Sequence, residues 1–250
     1  MLNFSAVSNN SVIGKLLRFP LRLIPSCMVL PILLGSLKGK KWIVGSGNHG
    51  CWLGCYEYEK QILFAKMVKE GSVVYDIGAN VEFYTLLASI LVGSKGKVIA
   101  FEPVPRNLKY LKEHLRLNRC DNVTIIEAAV AERSGNAFFE EGNNYSTGHL
   151  SSKGNLKVKV VSLDNLIFKE DIPPPEYMKI DVEGEELLVL SGARAVIYKH
   201  HPIIFLAIHG KETHLKCCEF LTSIGYELQS IDGRDINETD EIFAEKCKVK

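Results

Sequence analysis

The sequence predicts an α/β domain built on a doubly wound, mostly parallel sheet with helices on both faces. Three observations carry this. The runs VVYDI and KVIAF are apolar without alternation, the mark of strands buried on both faces. Segments with helical spacing fall between such runs along the chain. An acid, a glycine and an asparagine separate the first run from the helix after it, as in a ligand loop at the carboxyl end of a strand.

The elements follow in order. Residues 41–44 read as a short strand, 45–54 as a loop, and 56–69 as a helix ended by Gly71. Residues 73–77 are the first buried strand and 83–92 the helix after it. The strand 97–101 leads to a helix over 105–118 with Leu108, Leu111 and Leu115 on one face, and then to a strand at 123–126. Residues 135–140 and 157–163 alternate like strands of a hairpin arm around a polar loop, 142–155. A buried strand at 177–182, a helix from 185 to about 200, a strand at 202–208, a helix at 211–224 and a last strand at 226–231 complete the pattern.

With 250 residues the chain is long enough for one large core. Thirty basic residues against 29 acidic give a net charge of +1, which disfavours a binder of the nucleic-acid backbone. Seven scattered cysteines without a C-x-x-C pair predict free thiols and a cytoplasmic setting. Residues 13–34 are apolar, but Lys15, Arg18, Arg22 and three prolines interrupt what a spanning helix needs, about 20 unbroken apolar residues. The segment also lacks the order of charges and cleavage site of a signal peptide. We expect residues 1–55 to strap over a domain at 56–250. A peripheral membrane contact through basic residues spaced among leucines is the second reading.

The chemistry concentrates at two strand ends. Gly78 and Asn80 tolerate backbone angles other residues avoid, and the helix behind them turns its free N–H groups toward the loop. Asp76 would repel a pyrophosphate and suit a cationic ligand. Glu102 closes the second strand 26 residues later, placed to accept both hydroxyls of a ribose. A nucleoside with a cationic tail fits this pair, and S-adenosylmethionine has that shape. Asp181 and Glu183 leave the fourth strand where a transferred methyl group would emerge. Asp181 is the first choice for acceptor positioning or base, with helix capping as its plain structural alternative. His209 and His149 are further candidate bases.

The motif G-x-G-x-x-G also occurs at 45–50. Its helix starts late, so we expect a mobile loop over the site, with His49, Trp52 and His149 contacting substrate. His49, Cys51 and Cys55 lack a fourth ligand, and no metal is expected there.

DIGAN (76–80) followed by FYTL, AFEPVPRNLKYLKEHLRLN (100–118), MKIDVEGEELLVLSGA (178–193) and the upstream Tyr56-Glu57 together resemble the FkbM family of S-adenosylmethionine-dependent methyltransferases. The resemblance covers about residues 56–230. It implies a class I methyltransferase fold, Rossmann-like, with an antiparallel strand near the C-terminus. It also implies methyl transfer to a hydroxyl of a sugar, glycan or small molecule. On that resemblance Asp76, Gly78 and Asn80 would hold the amino-acid end of the cofactor, Glu102 the ribose, and Glu127 and Ala128 the adenine. Glu82 stands where the family has glycine, and Ala207 where it often has an acid. Glu82 is expected to weaken cofactor binding without abolishing it; the alternative is a cofactor-binding protein with little activity.

Overall fold

The structure, a computed structural model, describes residues 20–81, 83–142, 148–169 and 171–247. Glu82 lies outside the described residues, as do Lys15 and Arg18 of the N-terminal stretch. No helix among the described residues is long and apolar enough to cross a membrane.

The chain opens with β1 (Val29–Pro31) paired to β2 (Lys41–Ile43), followed by α1 (His49–Leu53) and α2 (Tyr58–Met67). The stretch at 45–54 is therefore not loop throughout. α1 is a short helix closed by Gly54, whose left-handed φ of 83° lets its N–H return to Gly50 O at 2.9 Å.

The central sheet takes β3 (Val73–Ile77), β4 (Lys97–Phe101) and β5 (Val123–Ile126), crossing through α3 (Phe83–Val92) and α4 (Pro105–Asn118). A smaller sheet follows, made of β6 (Ala129–Val130), β7 (Gly135–Glu141), β8 (Gly148–Leu150) and β9 (Leu156–Val161), with α5 at Leu163–Phe168. The chain returns to the central sheet through β10 (Tyr177–Ile180), α6 (Glu186–Gly192), α7 (Arg194–His200), β11 (Ile203–Ala207), α8 (Lys211–Ser223), β12 (Tyr226–Ser230) and β13 (Glu241–Lys246).

The sheet order is β12–β13–β11–β10–β3–β4–β5, parallel except for β13, which runs antiparallel to both neighbours. Direction through the order reverses between β3 and β10, so the switch point lies at their carboxyl ends. Alternate residues of β11 serve two cores. Ile204 and Leu206 pack with Met178, Val189 and Leu221, while Phe205 packs with Trp42, Phe64 and Leu87. This double burial explains the unbroken apolar runs.

Two expectations are corrected. The strand at 226–231 is not the last, because β13 follows it and inserts between β11 and β12. Its short EIFAEK signal buries only Ile242, Phe243 and Ala244 fully. The helix read from 185 to 200 is two, broken at Ala193 (φ −113°, ψ 9°). Gly192 packs so closely that a Cβ there would meet Ala131 O at 2.2 Å. The Asp164 carboxylate then accepts the Ala195 and Val196 N–H groups, both at 3.0 Å, restarting the helix.

His114, on α4, ties β2 to Val81 in the turn that precedes α3. It is buried, stacks on Trp42 at 4.1 Å, accepts the Ile43 N–H at 3.1 Å on Nε2, and sits 2.9 Å from Val81 O through Nδ1. One nitrogen accepts and the other donates, which describes a neutral ring. Burial pushes its pKa from 6.5 down to about 4. The unfolded chain therefore binds this proton first as pH falls. Stability present above pH 6.5 should be lost progressively toward pH 4, by up to about 3 kcal/mol. A His114→Gln variant should flatten that part of a Tm-against-pH curve, and an unaltered slope would refute the assignment.

Candidate active site

The register of the parallel strands builds the site. Ile77 stands beside Phe101 in β4 and Ile180 in β10, so the residues that follow emerge side by side: Gly78, Glu102 and Asp181. They line a cavity of about 340 Å³ beyond the strand ends, within the range of small-molecule sites. The smaller sheet walls it from one side with Phe139, Gly148 and Leu150.

At one end Glu102 is buried and well held. Its Oε2 accepts the Asn80 N–H at 2.8 Å, and its Oε1 accepts the Val104 N–H at 2.9 Å and Asn107 Nδ2 at 3.3 Å. Burial outweighs these bonds and raises its pKa to about 7. Asn80 takes a left-handed φ of 51°, which aims its N–H at that carboxylate. Gly78 has a φ of 78°, and a Cβ on it would lie 1.9 Å from Asp181 O. Its carbonyl accepts Lys179 Nζ at 3.2 Å. Ala128 lines the cavity. Glu127 does not; it is exposed and paired with Lys112 at 2.6 Å.

Asp76 is not in the cavity wall. It lies buried beneath the loop, where Thr85 Oγ1 donates to Oδ2 at 2.6 Å and Lys179 Nζ lies 3.5 Å from Oδ1. The register that pairs Lys179 with Asp76 puts both side chains on one face of the sheet. Lys179 offsets part of the charge from which the cationic ligand was inferred. Sequence reasoning passed over it, although a lysine inside the apolar run MKI was the available signal.

Lys179 also lies 3.3 Å from Asp181 Oδ2. Burial would lower its pKa, but Asp181, Asp76 and Glu57 outweigh burial and hold it above the ordinary lysine value. Burial would raise Asp181, but Lys179, Lys60 and His209 hold its carboxyl at about 2. Lys60 is itself buried, 2.7 Å from both Glu57 and Glu241.

At the far end Glu183, in left-handed conformation (φ 56°), and His209 meet, with Nε2 3.5 Å from Glu183 Oε2. The other ring nitrogen of His209, Nδ1, lies 2.8 Å from Oε1 of the buried Glu186. That bond, helped by Glu183 and Asp181, outweighs burial and raises His209 to about 9. Burial raises Glu183 as well. The three residues named for acceptor chemistry thus come together, as an ion-paired group.

None of His49, Trp52 and His149 lines the cavity. Trp52 is buried and donates from Nε1 to His49 Nδ1 at 3.1 Å. His149 is exposed on β8, between the lining residues Gly148 and Leu150, as strand alternation requires.

A parallel sheet with one antiparallel insertion, and a cavity at its switch point with an acid at the second strand's end, define a class I S-adenosylmethionine-dependent methyltransferase fold. The chain belongs to the FkbM methyltransferase family, whose Methyltransferase FkbM domain model matches residues 76–228. It is 31% identical over 133 residues to the hexuronic acid methyltransferase AglP of Haloferax volcanii, covering 52% of this chain and 53% of that protein. A crystal structure of methyltransferase FkbM from Methylobacillus flagellatus shares the fold, with a TM-score of 0.55 and 20% identity. That match covers 75% of this chain and 47% of the other. The chain spans about half the length of these relatives.

Proposed function

We propose that the chain transfers a methyl group from S-adenosylmethionine to a hydroxyl oxygen of a sugar, glycan or small molecule. The observation that carries this is one cavity lined both by an acceptor carboxylate, Glu102, and by the Asp181–Glu183 pair. S-adenosylmethionine supplies an already activated methyl group. The residues fit it: Glu102 offers carboxylate oxygens to the ribose hydroxyls, Gly78 and Asn80 form a loop without side-chain bulk at Gly78, and Ala128 leaves room for the adenine. Asp76 acts from below by anchoring Thr85 and Lys179 under the loop.

On the acceptor side Asp181, held ionised, orients a hydroxyl instead of competing for its proton. Glu183, raised by burial, is the better placed proton acceptor of the two, and the His209 ring backs it. Orientation of the nucleophile is the larger part of the work when the donor is activated. The relative named for hexuronic acid makes a sugar acid the first acceptor class to try. We read residues 56–250 as the catalytic domain and the preceding segment as its cover, because Trp42 and Trp52 pack into the same core as Phe64 and Leu87. All seven cysteines are free thiols, which supports a reducing, cytoplasmic setting.

Incubation with methyl-tritiated S-adenosylmethionine and a panel of uronic acids, neutral sugars and glycans should label a hydroxyl-bearing acceptor. Asp181→Asn and Glu183→Gln should each lower kcat by about tenfold to a thousandfold with the KM for the cofactor little changed. Label on nitrogen or carbon alone would overturn the reading.

A further inference from the structure

We propose that Asp181, Glu183 and His209 form a binding site for one oxygen-preferring divalent cation, of the Mn2+ or Mg2+ class, at the acceptor end of the cavity. Each offers one ligand atom, and these atoms lie within 4.8 Å of one another. Asp181 and Glu183 line the cavity, so a cation there would face its interior. Two carboxylates with one imidazole suit a divalent cation, and three protein ligands leave positions open for an acceptor's oxygens. Lys179 lies 3.3 Å from Asp181 Oδ2 and would share that carboxylate with the cation.

The second observation is behind the imidazole. Glu186 is fully buried, and its Oε1 lies 2.8 Å from His209 Nδ1 while accepting the Gly184 N–H at 2.9 Å. Its Oε2 is buried without a hydrogen-bond partner. A buried carboxylate on the far nitrogen is the arrangement that fixes the tautomer and direction of a metal-ligating histidine. It leaves Nε2 as the nitrogen turned toward Glu183. On binding, Nε2 gives up any proton it carries and the cation takes its place. Gly184, with a φ of 110°, allows the chain to turn so that Glu183 and Glu186 approach the ring from two sides.

With the cation bound, Glu183 would serve as a ligand and not as the proton acceptor. The cation's role, holding the acceptor hydroxyl, rests on the methyl-transfer reading, and its binding does not. The test is a Mn2+ titration of the chelator-stripped chain, without cofactor or acceptor, read by electron paramagnetic resonance of free Mn2+. One bound Mn2+ per chain is expected. His209→Ala and Glu183→Gln should each weaken binding by at least about tenfold, and Glu186→Gln by about 10–100-fold. Glu212→Gln, on the exposed face of α8, should change nothing. Thermal melts check that each variant is folded, and His209→Ala and Glu183→Gln keep the test open if the buried Glu186 variant is not. All Mn2+ remaining free at millimolar concentration, or the folded His209→Ala variant binding as tightly as the parent, would overturn the site. Mn2+ binding without any methyl transfer would keep the site and remove the functional reading.

Discussion

Replacing Glu102 with alanine should lower the affinity for S-adenosylmethionine by about a hundredfold or more. On the proposed reading its carboxylate accepts the ribose hydroxyls, and hydrogen bonds to a charged group contribute about 1.5–3 kcal/mol each. Losing two such bonds corresponds to at least two decades of Kd. Asn80 and Val104 would also lose the oxygens that now receive their N–H groups, loosening the loop that shapes the site. The binding should depend on pH in a defined direction. In the free chain Glu102 titrates near 7, and ribose hydroxyls favour its ionised form. Affinity should therefore be flat above about pH 7 and fall as pH drops below it, by at most tenfold per unit. Glu102→Gln should bind weakly with that slope removed. Calorimetry between pH 5.5 and 8.5 measures both, and undiminished affinity in the alanine variant would refute the assignment.

Gly78→Ala should be the most damaging single methyl group in the chain's ligand loop. A Cβ at Gly78 would lie 1.9 Å from the Asp181 carbonyl oxygen and 2.9 Å from its carbon, both backbone atoms that cannot swing aside. The φ of 78° adds strain of about 1–2 kcal/mol for any residue with a side chain. Overpacking adds about 1–3 kcal/mol, so a total loss of about 2–5 kcal/mol is expected. For a domain of this size that lowers Tm by roughly 4–20 °C. Gly71→Ala separates the two causes. Its φ is 83°, yet a Cβ there would meet nothing within 4 Å, so it should cost the strain alone. Equal losses in the two variants would show that the approach of the β3 and β10 loops is not tight.

Much of the fold was legible because its signals are local. The strands 73–77, 97–101 and 123–126 and the helices 83–92 and 105–118 occur at the residues read from the sequence. Each is a continuous apolar run or a helical stripe bounded by a glycine, a proline or a charged turn. The resemblance implied an antiparallel strand near the C-terminus, but its place at β13 was not legible, since three buried residues among charges become a strand only when β11 and β12 offer them two partners. The break at Ala193 was hidden for a similar reason. It comes from Ala131 crowding Gly192 and from Asp164 capping the new helix, both remote in the chain.

The site divides in the same way. By itself the sequence determined that acids and a glycine loop stand at strand ends, because strand, loop and helix are dictated by neighbouring residues. It also placed Asp181, Glu183 and His209 in segments that leave parallel strands. Only the tertiary structure decided what each charge faces. Asp76 answers to Lys179 beneath the loop, while Glu102 opens to the cavity and Glu186 stands behind the His209 ring. Trp52 goes to the core and Glu127 to solvent. The reason is physical: an ionised group's behaviour depends on burial and on charges within a few ångströms, and those neighbours come from strand register and helix packing.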